Sequence, residues 1–218
     1  MVPKIIHCCW FGGEKTPLAR MCRASWARFA PDWEVREFTL PSALPSFVSD
    51  ALQAKKWAVV SDWARMRALY DEGGVYFDYD VELIKPFTPP AGEWVAEEWT
   101  AAGGAWMNPG SGLALEKGST IAQYMLDVYA RTAFDPKRDM MPWINQHLSA
   151  AGSIRHLAPE VFSPVGMDGK LHKTEQTLGI HHYAMSGSSY VRRVARWISW
   201  HGGRYILEAL IQIRRKFL

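Results

Sequence analysis

A helical pattern that leads through two glycines into an acidic strand is the strongest constraint on the fold. Apolar residues recur at helical spacing over Ala58–Glu72, and Gly73-Gly74 is a typical C-terminal cap. The residues Val75–Ile84 are mainly apolar or aromatic and are predicted to form one strand. Because a buried strand does not tolerate unpaired acids, its acidic residues are expected at the C-terminal end of the strand.

The rest of the chain alternates between strand and helix patterns. An apolar run, Lys4–Phe11, predicts a buried parallel strand before Gly12-Gly13. This alternation predicts an α/β fold with a mostly parallel central sheet, whose ligands bind at the carboxyl ends of the strands. Further strands are predicted at Glu34–Thr39 and Glu93–Trp99, and helices at Leu18–Phe29, Ser46–Lys55, Thr120–Thr132 and Met141–Ala151.

Composition excludes several classes of protein. The 218 residues are 48% apolar, which is enough for a packed core and argues against disorder. No apolar run approaches the roughly 20 residues of a membrane span, and neither a secretory signal nor a zinc-binding cysteine spacing is found. We therefore expect a cytoplasmic globular protein. Rossmann dehydrogenases and P-loop kinases have no support, since neither glycine-rich motif occurs.

Positive charge is concentrated at the C-terminal end. From Ser186 onward there are seven basic residues and one acidic residue, whereas the preceding residues carry a net charge of −3. Apolar spacing around Gly202-Gly203 predicts two amphipathic helices, suited to an anionic membrane surface or to packing on the body or in a dimer. The predicted organisation is a domain over 1–186 and a basic amphipathic helical tail over 187–218.

Carboxylates in the acidic segment are the main candidates for chemistry. Asp78 and Asp80 stand at i and i+2, so on one strand they would share a face, and paired carboxylates suit Mn²⁺ or Mg²⁺. A solvated strand end is the alternative. Asp62 and Arg65, at i and i+3 of the preceding helix, form either part of the same site or a surface ion pair.

Three motifs follow one another along the chain: Pro3–Gly13, the S-D-x-x-R…G-G-x-Y-x-D-x-D stretch from Ser61 to Asp80, and Ile180-His181-His182-Tyr183. Together they resemble glycosyltransferase family 32, the DXD-containing sugar transferases of bacterial capsule and lipopolysaccharide loci and of fungal mannosyltransferases. The resemblance spans residues 3–186. It implies a GT-A fold, a nucleotide-sugar donor, a divalent metal (Mn²⁺ or Mg²⁺) and transfer with retention at the anomeric carbon.

The resemblance also implies a set of metal ligands. Asp80 would bind the metal directly, and Asp78 would contact the metal and the ribose. His181 would be a third ligand, replaced by His182 if the register is shifted by one; a solvent-facing histidine pair is the alternative.

The resemblance implies a set of donor-binding residues as well. Trp10 would stack on the nucleobase, or else fill the core. Asp62 would bind sugar hydroxyls, and Arg65 the sugar or the diphosphate. Tyr76 would flank the donor sugar, unless it is simply a buried strand tyrosine. Asn108, in the loop up to Gly112, would face the transferred sugar.

One departure from the family concerns Ser186, which is followed here by Gly187 where the family usually has tryptophan. The indole that closes the site over the diphosphate is then missing, or is supplied by Trp197 or Trp200. No residue pattern identifies a catalytic nucleophile.

The predicted function is a metal-dependent retaining glycosyltransferase that uses a UDP-sugar in preference to a GDP-sugar. The predicted acceptor is a lipid-linked sugar or polysaccharide in surface glycan synthesis, which would place the protein on the inner face of the cell membrane. A non-catalytic sugar-nucleotide-binding or scaffold protein is the alternative. Nucleic acid is not an expected partner, because the body is net acidic and carries no nucleic-acid-binding motif.

Overall fold

The structure, a computed structural model, describes residues 1–100, 104–165 and 171–184. A short 3₁₀ helix, Pro159–Val161, accompanies the regular elements. The strands are β1 (Ile5–Cys8), β2 (Glu34–Glu37), β3 (Gly74–Tyr76), β4 (Val81–Leu83), β5 (Trp94–Trp99), β6 (Ala105–Met107), β7 (Leu113–Leu115), β8 (Arg155–Leu157) and β9 (Gly179–His181). The helices are α1 (Pro17–Phe29), α2 (Ser46–Gln53), α3 (Trp57–Glu72), α4 (Thr120–Arg131) and α5 (Met140–Ala151).

Seven of these strands form a central sheet in the order β2-β1-β3-β7-β5-β6, with β8 also paired to β5. The pairings β1–β2, β1–β3 and β5–β8 are parallel, whereas β7 runs antiparallel to both of its neighbours and β6 antiparallel to β5. Five strands therefore share one direction, and the predicted mostly parallel α/β sheet is confirmed. Strands β4 and β9 form a separate antiparallel pair.

Apolar side chains cover both faces of the central sheet. In β3, Val75 packs in the cluster that contains Trp26 of α1, while Tyr76 packs in the opposite cluster with Leu69 of α3. Strand β5 alternates in the same way, with Trp94 on the α1 side and Val95 on the other. Burial on both faces explains why these strands read as nearly continuous apolar runs.

The predicted single strand over Val75–Ile84 is wrong. Strand β3 ends at Tyr76 and β4 begins at Val81, and a turn between them is closed by the Val81 amide, which donates to the Asp78 carbonyl at 3.0 Å. Two carboxylates would be costly in a strand buried on both faces, so the chain leaves the sheet before the first of them. The two aspartates therefore do not share a strand face.

The other predicted helices and strands are present, with ends shifted by up to three residues. The sequence analysis missed β6, β7, β8 and β9, since a three-residue strand carries too little pattern to be recognised. Among the described residues, no helix is both long and apolar enough to cross a membrane. The predicted tail over 187–218, the domain boundary, Ser186, Trp197 and Trp200 all lie outside the described residues.

Candidate functional site

The candidate site lies where β1 and β3 end, at the carboxyl edge of the sheet. Trp10 follows β1 by two residues and Asp78 follows β3 by two, while Asp62 and Arg65 project from α3 towards the same place. Ligands of open α/β sheets bind at this edge, because the strands end there and their loops converge.

Asp78, Asp80 and His181 form one cluster. A ligand atom from each side chain can be chosen so that all three atoms lie within 4.8 Å of one another. His181 Nε2 lies 3.2 Å from Asp80 Oδ1. The buried Nδ1 of His181 has no hydrogen-bond partner among the described residues, so the imidazole retains ligand capacity. Two carboxylates and an imidazole with a spare nitrogen fit a divalent cation.

Strand β9 supplies the histidine, and the residues that follow this strand hold Asp80 in place. The His182 amide donates to the Asp80 carbonyl at 2.9 Å, and the Ala184 amide donates to Asp80 Oδ2 at 2.6 Å. Burial alone would lower the pKa of His181, but the charge of Asp80, its hydrogen bond to the imidazole and the charges of Asp78 and Glu98 together raise it. The conformation of Asp80 is therefore fixed by residues from the far end of the described chain.

The two neighbouring histidines point in different directions. His182 Nε2 lies 3.0 Å from Glu82 Oε2, and its side chain is not part of the Asp78–Asp80–His181 cluster. His181 is the last residue of β9 and His182 follows it, and only His181 faces this cluster. The structure brings His181 to the predicted position; the metal-binding role stays a prediction.

Asp78 is held by three elements. Its Oδ1 accepts a hydrogen bond from the Tyr76 hydroxyl at 3.0 Å and lies 3.4 Å from Arg65 Nη2. Its backbone amide donates to the Gly110 carbonyl at 2.8 Å. The Tyr76 oxygen is also 3.0 Å from Cys9 Sγ, so Tyr76 is a buried strand residue that also directs the Asp78 carboxylate.

Asp62 and Arg65 form a buried pair rather than a surface ion pair, because Asp62 is 8% exposed and Arg65 5%. Arg65 Nη2 lies 3.0 Å from Asp62 Oδ1, and the guanidinium lies over the Tyr76 ring at 4.9 Å from its centroid. Burial raises the pKa of Asp62 to about 7, although Arg65 opposes the shift. Arg65 Nε is buried and has no hydrogen-bond partner within the described ranges.

Trp10 is half-buried beside the turn that carries the aspartates. Its indole packs edge-to-face on Tyr79 with ring centroids 5.5 Å apart, and its Nε1 donates to the Gly13 carbonyl at 2.8 Å. One side of Trp10 thus packs on the apolar cluster that contains Trp26 of α1, while part of the ring stays accessible to solvent. Stacking on a base stays a prediction.

Asn108 lies close to the cluster, but most of its amide is occupied by the protein. Its Oδ1 accepts from the amides of Gly110 and Ser111, and its Nδ2 donates to Glu98 Oε2 at 2.8 Å. The sequence analysis missed Glu98. The available signal was Glu97-Glu98 at the end of a strand, where alternation turns one of two adjacent acids towards the site edge.

Residues 18–101 match the family model described as "Glycosyltransferase sugar-binding region containing DXD motif". The matched region contains Asp62, Arg65, Tyr76, Asp78 and Asp80. Among curated protein sequences there is no significant match.

Two solved glycosyltransferase structures resemble this chain to different degrees. "PaToxG Glycosyltransferase" has a TM-score of 0.54 and 21% identity, over 69% of this chain and 68% of that one. A glycosyltransferase involved in the glycosylation of the major capsid of PBCV-1 has a TM-score of 0.48 and 13% identity, over 88% and 99% of the two chains. The first likeness identifies the fold as GT-A-like, in agreement with the predicted fold class.

Proposed function

We propose that this protein is a metal-dependent retaining glycosyltransferase, which transfers a sugar from a nucleotide-sugar donor to a lipid-linked or polysaccharide acceptor in surface glycan synthesis. The observation that carries the proposal is the Asp78–Asp80–His181 cluster at the carboxyl edge of a GT-A-like sheet. The match of residues 18–101 to a DXD sugar-binding region supports it independently, because it rests on sequence.

Asp80, His181 and Asp78 are the residues that would hold a divalent cation, Mn²⁺ or Mg²⁺. Such a cation would neutralise the negative charge that develops on a departing nucleoside diphosphate. The buried N–H of Arg65 that lacks a partner would donate to a phosphate or sugar oxygen, while its other nitrogen stays with Asp62 and Asp78. The protein thus offers positive charge from a position that is already fixed before the donor arrives.

The donor is proposed to lie across the ends of β1 and β3. Trp10 would stack on the base, uridine in preference to guanosine, and Asp62 would accept hydrogen bonds from sugar hydroxyls. Tyr76 and Asn108 would border the transferred sugar. Retention is proposed from the family resemblance, and no nucleophile is assigned.

The acceptor and the place of action are proposed from the charge of the C-terminal segment. Seven basic residues against one acid favour an anionic surface, and a lipid-linked acceptor would be reached from the inner face of the cell membrane. We therefore propose peripheral attachment there.

A second candidate function is non-catalytic binding of a sugar nucleotide. It is favoured by one observation, the Ser186-Gly187 departure from the family motif. Both functions require donor binding, but only the transferase requires turnover.

The test is hydrolysis of a panel of UDP- and GDP-sugars by the full chain, with Mn²⁺ or with a chelator. The panel is first ranked by thermal shift in the presence of Mn²⁺. Release of nucleoside diphosphate that depends on Mn²⁺ is the expected result. Binding without turnover by any donor or acceptor would favour the non-catalytic protein, and no binding of any nucleotide sugar would overturn both.

A further inference from the structure

Glu98 is an acidic residue on β5 whose carboxylate receives two donors. Its Oε2 accepts from Asn108 Nδ2 at 2.8 Å, and its Oε1 accepts from Trp106 Nε1 at 3.2 Å. Trp106 is directly opposite Glu98 in the β5–β6 pairing, so the strand register sets this contact. The negative charge of Glu98 also acts on His181, so the carboxylate lies on the cluster side of the sheet.

The hydrogen bond from Asn108 to Glu98 determines which way the Asn108 amide faces. A carboxylate only accepts hydrogen bonds, so the Asn108 NH₂ group must face Glu98 and the amide oxygen must face the other way. That oxygen accepts from the Gly110 amide at 2.9 Å and from the Ser111 amide at 3.3 Å. With the amide reversed, NH₂ would face two backbone N–H groups, and the turn would lose both bonds.

The turn closed by Asn108 lies against the Asp78 carboxylate. The Gly110 carbonyl accepts from the Asp78 amide at 2.8 Å, and the Gly110 Cα is so close that an added Cβ would be 2.2 Å from Asp78 Oδ2. Tyr76 and Arg65 act on the other carboxylate oxygen. The loop from Asn108 to Ser111 therefore limits, on one side, where the Asp78 carboxylate can lie.

We infer that Glu98 is a positioning residue, which orients the Asn108 amide and thereby fixes the turn that confines the Asp78 carboxylate. Glu98 acts through Asn108 and contacts neither the metal nor the sugar. This role rests on the proposed function only in that Asp78 is taken to serve a divalent cation. The Asn108-to-Ser111 turn is closed by hydrogen bonds within the protein.

The test combines a double-mutant cycle with a matched control on the same strand. Glu98→Ala removes the acceptor, Glu98→Gln keeps an acceptor oxygen, and Asn108→Ala removes the amide. Glu97→Ala is the control, because Glu97 is the next residue of β5 and contacts the half-exposed His156 instead. Mn²⁺ affinity is measured by calorimetry on the full chain, and exchange of the Gly110 and Ser111 amides is measured by NMR.

Glu98→Ala and Asn108→Ala are each expected to weaken Mn²⁺ binding by about 10- to 100-fold and to speed exchange at both amides. The double variant should be no weaker than either single one, Glu98→Gln should recover most of the affinity, and Glu97→Ala should match the wild type. Additive losses, or a Glu98→Gln variant as weak as Glu98→Ala, would overturn the positioning role in favour of direct contact.

The amide-exchange measurement keeps the two proposals separable. If the wild type binds no Mn²⁺, the proposed function fails, but faster exchange in Glu98→Ala alone would still support orientation of Asn108 by Glu98. If the wild type binds Mn²⁺ and exchange at Gly110 and Ser111 is unchanged in Glu98→Ala, the positioning role fails and the proposed function stands.

Discussion

Gly110 and Asp78 are in such close contact that the position of the carboxylate depends on the absence of a side chain at residue 110. An added Cβ would lie 2.2 Å from Asp78 Oδ2 and 3.0 Å from its Cγ. Because these atoms are at the end of a side chain, the carboxylate would move away while the backbone stays in place.

Gly110→Ala is therefore expected to impair the site more than the fold. We expect Mn²⁺ affinity to fall by about 10- to 100-fold, with a loss of unfolding free energy at the low end of the ~1–3 kcal/mol that overpacking costs. Gly13→Ala is the control, since nothing lies within 4 Å of an added Cβ there. Calorimetry with Mn²⁺ and denaturant unfolding measure the two effects. Unchanged affinity in Gly110→Ala would show that the Asp78 position does not matter for the metal.

Asp80→Asn tests the metal assignment directly. The amide retains an oxygen for the Ala184 N–H but lacks the charge that a hard cation requires. Mn²⁺-dependent donor turnover should fall on the order of 100-fold with the fold intact by circular dichroism. Asp127→Asn, on the exposed face of α4, should turn over donor like the wild type. Wild-type turnover in Asp80→Asn at saturating donor contradicts the assignment.

Trp10→Ala separates base stacking from core packing. If the accessible part of the indole stacks on a base, nucleoside diphosphate binding should weaken by ~1–3 kcal/mol, and Trp10→Phe should recover part of it. Trp33→Ala is the matched control, because Trp33 is also half-buried and packs on Phe87 away from the site. The control should lose stability without losing nucleotide affinity. A Trp10→Ala variant that unfolds, or that binds the nucleotide normally, would support the core interpretation.

The raised pKa of Asp62 predicts how the free energy of unfolding depends on pH. Burial raises its pKa to about 7 in the folded protein, above the usual value of 3.8, so the folded state binds the proton more tightly than the unfolded state. Its contribution to stability is fully present below about pH 4 and is lost as the pH rises to about 7. The unfolding free energy of the wild type minus that of Asp62→Asn should fall across this window. A difference that stays constant with pH would refute the shifted pKa.

The basic C-terminal segment should bind anionic vesicles in preference to zwitterionic ones. Each basic residue near such a surface contributes about 1 kcal/mol, screened over about 10 Å at 0.1 M salt, so binding should weaken steeply as salt rises. Truncation after Ser189 should abolish vesicle sedimentation and spare turnover of a soluble donor, because the proposed ligands precede it. If the intact chain does not bind anionic vesicles, membrane attachment is disproved. If the truncated chain is unfolded, the segment is part of the core.

The sequence predicted the sheet and the long helices because their apolar spacing extends over enough residues. Helix α3 covers sixteen residues and was predicted within one residue of each end. The acidic segment was misassigned because most of its residues, apart from the acids, are good strand formers. What ends β3 is the cost of burying Asp78, together with the bond from its amide to Gly110, 32 residues away in the sequence.

The candidate site, too, could be predicted from the sequence only in part. Motif resemblance placed Asp78, Asp80 and His181 together, and the structure brings them together. The i,i+3 spacing of Asp62 and Arg65 offered an ion pair only at the surface, whereas the pair is buried, because burial depends on what packs against α3 and spacing does not contain that. Glu98 was missed for a related reason: its contact with Asn108 arises from the β5–β6 pairing, and β6 is too short to recognise.

The attachment of β9 to β4 has a consequence for synthesis of the chain on the ribosome. The hydrogen bond from Ala184 to Asp80 joins residues 104 positions apart, and the ring of His181 comes from the strand that ends three residues before Ala184. A nascent chain that has exposed Asp78 and Asp80 therefore still lacks both the imidazole and the amide that fixes Asp80. Affinity for a cation would then appear only after Ala184 has been exposed, so a nascent chain that ends before this residue would not compete for cellular metal.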